Sequence, residues 1–192
     1  GISERTPLES INKISNLIFD EGFEKIIAID MPKKRALMHL DTIFTKINKN
    51  EVLVFPPILN NFSKNIYILH QNNENEIISN KNLAEILNED GLKINFIKCG
   101  SDSKIMQERE QWTDGANAFA LSPGKIIGYD CNVYTLNELE KSGYKIIKSE
   151  EYIDNYKYYN SLNEKFIITI KGSELSRGRG GPRCLTLPLS RL

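Results

Sequence analysis

The feature of this sequence that most limits its possible folds is an order of elements that recurs: a helical segment, an apolar strand, a polar stretch and a second strand, three times in succession. The first copy opens with TPLESINKISNLIFDEGF, residues 6–23. Thr6 and Glu9 stand at capping-box spacing, Pro7 suits a first helical position, Leu8, Ile11, Ile14, Leu17 and Ile18 recur at helical spacing, and Gly22 supplies a stop. The strand-like runs KIIAIDM, MHLDTIFTKI and EVLVFPP follow, with the basic loop PKKRA and then the turn residues Asn48 to Asn50 between them. In the second copy KNLAEILNEDG reads as a helix, LKINFIKCG as a strand, SDSKIMQEREQWTDG as a long loop, and ANAFALSPGKIIGYD as a hairpin turning at Ser122, Pro123 and Gly124. The third has TLNELEKSG as helix, YKIIKS as strand, a Tyr- and Asn-rich surface loop over residues 151–163, then FIITIKG, a glycine-arginine loop and the strand-like CLTLPLS. The order predicts an α/β protein of about three related modules.

With 192 residues, 40% of them hydrophobic, one core of ordinary size is expected, and therefore a single domain over residues 1–192. Lys+Arg and Asp+Glu both number 25, a formal net charge of +0, which argues against a broad electrostatic grip on nucleic acid or an acidic membrane. The opening GISERTPLESINK lacks the basic and apolar regions of a signal peptide, and no run approaches the ~20 apolar residues of a membrane helix. Three cysteines without CxxC spacing, Cys99, Cys131 and Cys184, disfavour a disulfide framework and a zinc site. A cytoplasmic protein with free thiols is the expectation.

Each copy leaves polar, chemically capable residues at the start of the strand after its long loop: His39 and Asp41, Asp114 and Asn117, Arg179 and Cys184. Modules of similar build packed around a common axis would bring these together. Alternation along a strand would put His39 and Asp41 on one face of MHLDTIF, although a lone His-x-Asp also fits a solvated strand face. Metal binding would need a further ligand, and His70, the other histidine, stands where a strand enters the polar loop after ILH, so no metal is expected. Cys184 follows Arg177, Arg179 and Arg183, whose positive field is expected to favour its thiolate, the competent nucleophile. Cys99 and Cys131 read as structural. The loop RGRGGPR lacks the Lys-Ser/Thr ending of a phosphate loop. Its glycines permit unusual backbone and close approach to a ligand, and its arginines offer planar forks for a carboxylate. Trp112 reads as core, with Asp114-Gly115 as a turn.

Taken in order, GISERT, MPKKRALMHLDTIFT, REQWTDGANAFALSPGKIIGYDCNVYT and GSELSRGRGGPRCLTLPLSR resemble bacterial-type arginine deiminases, guanidino-group-modifying enzymes, along nearly the whole chain. The resemblance implies a partial pentein-type α/β propeller of ββαβ-like modules. It implies a nucleophilic Cys184, His39 as general acid and base, Asp41 binding the guanidinium, and Arg179 with Arg5 and Gly178 holding the carboxylate end of L-arginine. Citrulline and ammonia would form through a cysteine thiouronium, with no cofactor. Family enzymes run to about twice this length, and their first half carries a second guanidinium-binding aspartate and a catalytic glutamate. The resemblance therefore implies a C-terminal part, inactive or nearly so alone, that self-associates or joins a missing N-terminal half. Two alternatives stay open: a relative acting on a modified arginine or transferring the amidino group, and a non-catalytic remnant binding a partner or RNA through the glycine-arginine loop.

Overall fold

A computed structural model describes residues 1–59, 65–71, 76–78 and 81–189. In chain order its elements are α1 (Leu8–Asp20), β1 (Lys25–Ile29), β2 (Phe44–Asn48), β3 (Glu51–Val54), β4 (Ile66–His70), β5 (Glu76–Ile78), α2 (Leu83–Glu89), β6 (Asn95–Lys98), α3 (Lys104–Trp112), β7 (Phe119–Ser122), β8 (Lys125–Tyr129), α4 (Val133–Lys141), β9 (Lys145–Lys148), α5 (Ser149–Asp154), α6 (Tyr156–Ser161) and β10 (Phe166–Ile170). Short 3-10 turns span Arg35–Leu37, Leu40–Thr42, Pro56–Leu59 and Leu175–Gly178. The class is α/β, with several separate sheets and no closed barrel among the described residues. No helix among those residues is long and apolar enough to cross a membrane. Contacts divide the chain into two compact units.

The first unit comprises residues 1–40 and 57–92. Its antiparallel sheet runs β1-β4-β5, with Lys25 opposite His70 and Ile29 opposite Ile66. Of the spacing read in α1, Ile11 turns inward and packs with Phe19, Ile2, Ala28 and Leu69, with Leu8 partly buried against them, whereas Ile14 and Leu17 are exposed. The expected capping box does not form. Pro7 occupies the cap position, and the Thr6 carbonyl instead accepts the Ser3 N–H at 3.1 Å. A true capping box opens α2, where the Asn82 side chain accepts the Glu85 N–H and Glu85 accepts that of Asn82, both at 2.9 Å. The polar stretch after His70 lies, at residues 72–75, outside the described residues.

The second unit, residues 41–56 and 93 onward, holds two sheets. In one, the β2-β3 hairpin adds β6 in parallel; in the other, the β7-β8 hairpin is extended in parallel by β10 and then β9. Ile47, Leu53, Ile97, Ile126, Leu139 and Ile167 form its main core. Parallel strands covered on both faces read as continuous apolar runs, as FIITI does. A buried polar group ties the two sheets: Glu51 accepts from Tyr144 (3.0 Å), Asn48 (2.7 Å) and Lys165 (2.7 Å). Burial alone would raise this carboxyl, but those hydrogen bonds, that of Lys165 first, hold it below the usual range.

Four readings of the sequence are corrected here. SDSKIMQEREQWTDG is not a long loop, because α3 runs through it. Its inward face is polar, with Gln107, Glu110 and Gln111 buried, so apolar periodicity was blind to it. Residues 151–163 are not a plain loop either: α5 and α6 fold so that Tyr152 and Tyr159 pack on Phe166, with ring centroids at 6.0 and 5.9 Å. Over residues 184–189 CLTLPLS forms no strand, its last residue lying outside the described ones; a turn ends at Leu185, and Leu187 and Leu189 are 81% and 92% exposed. MHLDTIF is no strand before β2 begins at Phe44, with Leu40–Thr42 in a 3-10 turn, so strand alternation does not relate His39 to Asp41. The Asp41 carbonyl is taken by two side chains, Thr45 Oγ1 at 3.0 Å and Asn117 Nδ2 at 2.9 Å, rather than by a neighbouring strand.

Candidate active site

Three connections of the second unit meet: the turn carrying Asp41, the link from α3 to β7 carrying Asp114 and Asn117, and the loop after β10 carrying Arg179 and Cys184. Cys184 Sγ donates to Asp41 Oδ2 at 3.7 Å and accepts from Asn117 Nδ2 at 3.2 Å. Asn117 Oδ1 in turn accepts the Cys184 backbone N–H at 3.1 Å. The guanidinium of Arg183 lies beside the same carboxylate, Nε to Oδ2 at 3.3 Å. Asp41 Oδ1 is buried and has no hydrogen-bond partner among the described residues. Such an acceptor costs folding energy of about 1–3 kcal/mol and is a place for a donor that a ligand brings.

The glycine-arginine loop is held by groups outside it. Gly180 donates its N–H to Asp114 Oδ2 at 3.1 Å, and its carbonyl accepts the Tyr129 hydroxyl at 2.9 Å. Gly180 has φ +130°, backbone that a side chain resists, and a Cβ on Gly181 would lie 2.6 Å from Asn117 Oδ1. The glycines are therefore needed for the loop to turn and to come this close. Arg179, itself at φ 66°, directs its side chain inward. Its Nη2 is 3.7 Å from Asp114 Oδ1, its guanidinium lies 4.8 Å above the Trp112 ring, and Nη1 donates to the Trp112 carbonyl. Trp112 is thus a half-exposed platform for an arginine and not core, a further correction.

At Cys184 the electrostatics run opposite to the expected direction. Removal of water pushes the Cys184 thiol up, and the Asp41 carboxylate adds to the rise; bonds from Asn117 and the Gly181 backbone oppose it. The arginines turn their charge to carboxylates, Arg183 to Asp41, Arg179 to Asp114 and Arg177 to Glu174, so little of the expected field reaches the sulfur. Burial likewise raises the Asp114 carboxyl against the pull of Arg179.

Of the residues singled out in the sequence, Cys184, Asp41 and Arg179 come together in the second unit, and Gly178 ends the 3-10 turn that leads into the loop. Arg5 and His39 belong to the first unit, both exposed, Arg5 in the turn that opens the chain and His39 just before the Leu40–Thr42 turn. Asn117 and Asp114 stood in the list of converging polar residues without a role. Tyr129 was missed: it sits at the end of an apolar strand, and nothing in its neighbours marks a hydroxyl that grips a loop distant in sequence. Among the described residues no group of three His, Cys, Asp or Glu side chains could hold a metal ion.

A family model described as arginine deiminase matches residues 1–191. The arginine deiminase of Mycoplasma capricolum subsp. capricolum is 38% identical over 196 residues, covering 100% of this chain and 43% of that protein. Those of Listeria monocytogenes serotype 4a and Latilactobacillus sakei are 35% and 37% identical, each again over 100% of this chain and 43% of the relative. The chain spans less than half the length of these relatives.

Proposed function

The chain belongs to the arginine deiminase family, and from that premise we propose that it carries the nucleophile-bearing part of a site that hydrolyses L-arginine to L-citrulline and ammonia. The observation that carries this reading is the pairing of Cys184 Sγ with Asp41 at 3.7 Å, beside a carboxylate oxygen that is buried and unbonded among the described residues. Asp41 already has a guanidinium 3.3 Å away, that of Arg183, so the place suits this group. A substrate guanidinium bound there sets its carbon beside the sulfur.

The delocalised guanidinium carbon is a poor electrophile, so a positioned thiolate matters more than for an ester. Burial is the larger cause of the raised Cys184 thiol, and a substrate cation at Asp41 offsets the part that this carboxylate adds, so binding and ionisation are coupled. The thiolate adds to the carbon; the C–N bond breaks as His39 supplies a proton, ammonia leaves, and a thiouronium remains on Cys184. His39, now neutral, takes a proton from water as it attacks, and the C–S bond breaks to return the thiolate. Binding of the substrate's carboxylate end falls to Arg5 and Gly178 in this reading. Arg179 joins them by exchanging the carboxylate of Asp114 for that of the substrate, a replacement of one charge-assisted pair by another.

The proposed modules form part of an α/β propeller, and the remaining substrate contacts come from polypeptide beyond this chain. Alone, the chain forms citrulline slowly or not at all. The decisive test is labelling by a haloacetamidine, with the adduct located by mass spectrometry. Modification at Cys184, slowed by arginine and no longer slowed in Asp41→Asn, is expected. Labelling that arginine does not affect in a full-length relative carrying this segment would overturn the assignment.

A further inference from the structure

Asn117 is wholly buried, yet each polar atom of its side chain is in use. Nδ2 donates to the Asp41 carbonyl at 2.9 Å and to Cys184 Sγ at 3.2 Å, and Oδ1 accepts the Cys184 N–H at 3.1 Å. One amide thus joins the main chain of the cysteine, its sulfur, and the main chain of the residue whose carboxylate lies beside that sulfur. Its own place is fixed by a bond from the Asn117 N–H to the Asp114 carbonyl at 3.0 Å, in a turn where Asp114 has φ 59°. The glycine at 181 lets the loop press against it.

We propose that Asn117 is the positioning residue of the nucleophile, setting the separation of Cys184 from Asp41 and donating to the sulfur. The inference rests on the reading of Cys184 as that nucleophile. The residue type follows from the demands made on it. Two donors and an acceptor are needed at one branch point; an ionised aspartate accepts but cannot donate, serine is too short, and glutamine carries an extra methylene into a filled space. An N–H directed at sulfur strengthens as charge develops there, so it favours ionisation. The groups facing the sulfur are Asp41 and Asp114, which oppose ionisation, Tyr129, and the cations Arg183 and Arg179, each engaged with one of those carboxylates.

The test uses the whole chain and iodoacetamide, with the rate at each cysteine read from its peptide across a pH series. In Asn117→Asp the midpoint for Cys184 moves up by about one pH unit, which is about tenfold slower alkylation below the midpoint. In Asn117→Ala it moves the same way by less, since water can donate from the space left. The rate at Cys131 stays as in the unaltered chain, which a general loosening of the fold would not allow. Profiles for Cys184 that superimpose on the unaltered chain would overturn the proposal. Should the variants fail to fold, the unaltered chain answers by NMR. The side-chain amide of Asn117 titrates with the Cys184 midpoint and stops doing so in Cys184→Ala; a flat response overturns the proposal equally. Protection by arginine against a haloacetamidine reports separately on the substrate. A shifted profile without that protection keeps Asn117 in its role and removes arginine.

Discussion

At the level of single residues, the three thiols differ in ways that composition does not convey. Cys184 is exposed, Cys131 half-buried, and Cys99 buried completely, its thiol pushed up to about 12 by loss of water. Native alkylation should therefore modify Cys184 first, Cys131 more slowly and Cys99 only on unfolding; early modification of Cys99 would contradict this packing. The same residue gives an alkaline prediction. A thiol whose folded value lies above an ordinary 9.0 contributes stability that is complete below 9.0 and is lost as pH rises toward about 12. The urea midpoint should fall over that range, and fall less in Cys99→Ala. Cys184 was legible as a candidate because arginines and glycines surround it in sequence. Its raised thiol was not, because the burial that raises it and the Asp41 carboxylate that adds to the rise depend on residues far along the chain.

At the level of elements, one helix completes another. The cap residue of α4, Asn132, makes no side-chain cap bond, its amide being engaged with Thr113 at 3.1 Å. Glu110 of α3 takes the place of that cap: Oε1 accepts the Tyr134 N–H at 2.8 Å, and Oε2 accepts the Thr135 N–H at 2.7 Å and its hydroxyl at 2.6 Å. A buried carboxylate at a helix N-terminus meets both unpaired N–H groups and the helix dipole. Glu110→Ala should lower stability by about 2–3 kcal/mol, read as a shift in urea midpoint; an unchanged midpoint would remove this role. The effect extends to the site, because the turn that follows α3 carries Asp114 and Asn117. Sequence reading found α4 in TLNELEKSG and missed α3, whose buried face is built of amides and a carboxylate.

For the whole molecule, the central fact is that the chain matches its relatives end to end while covering 43% of the Mycoplasma protein. Leu185, Leu187 and Leu189 are exposed, a row of apolar side chains in a segment that forms no strand over residues 184–189. Under the proposed function this row is covered by polypeptide outside the chain. Sedimentation velocity should accordingly show association that grows with concentration, and the separately expressed preceding part of a relative should convert it to a one-to-one complex that forms citrulline. A chain that stays monomeric at high concentration and ignores that part would remove this expectation.

Sequence alone determined the family, the α/β class, helices α1, α2 and α4 and most strands, and put forward Cys184, Asp41 and Arg179 as candidates, because these depend on local spacing and on short runs of residues. Tertiary structure decided that Asn117 bonds the cysteine, that Arg179 rests on Trp112 and Asp114, and that burial and the Asp41 carboxylate push the Cys184 thiol up. The physical reason is range. Periodicity and turn chemistry act within a few residues, whereas the bond from Asn117 to Cys184 spans 67 positions and that from Cys184 to Asp41 spans 143.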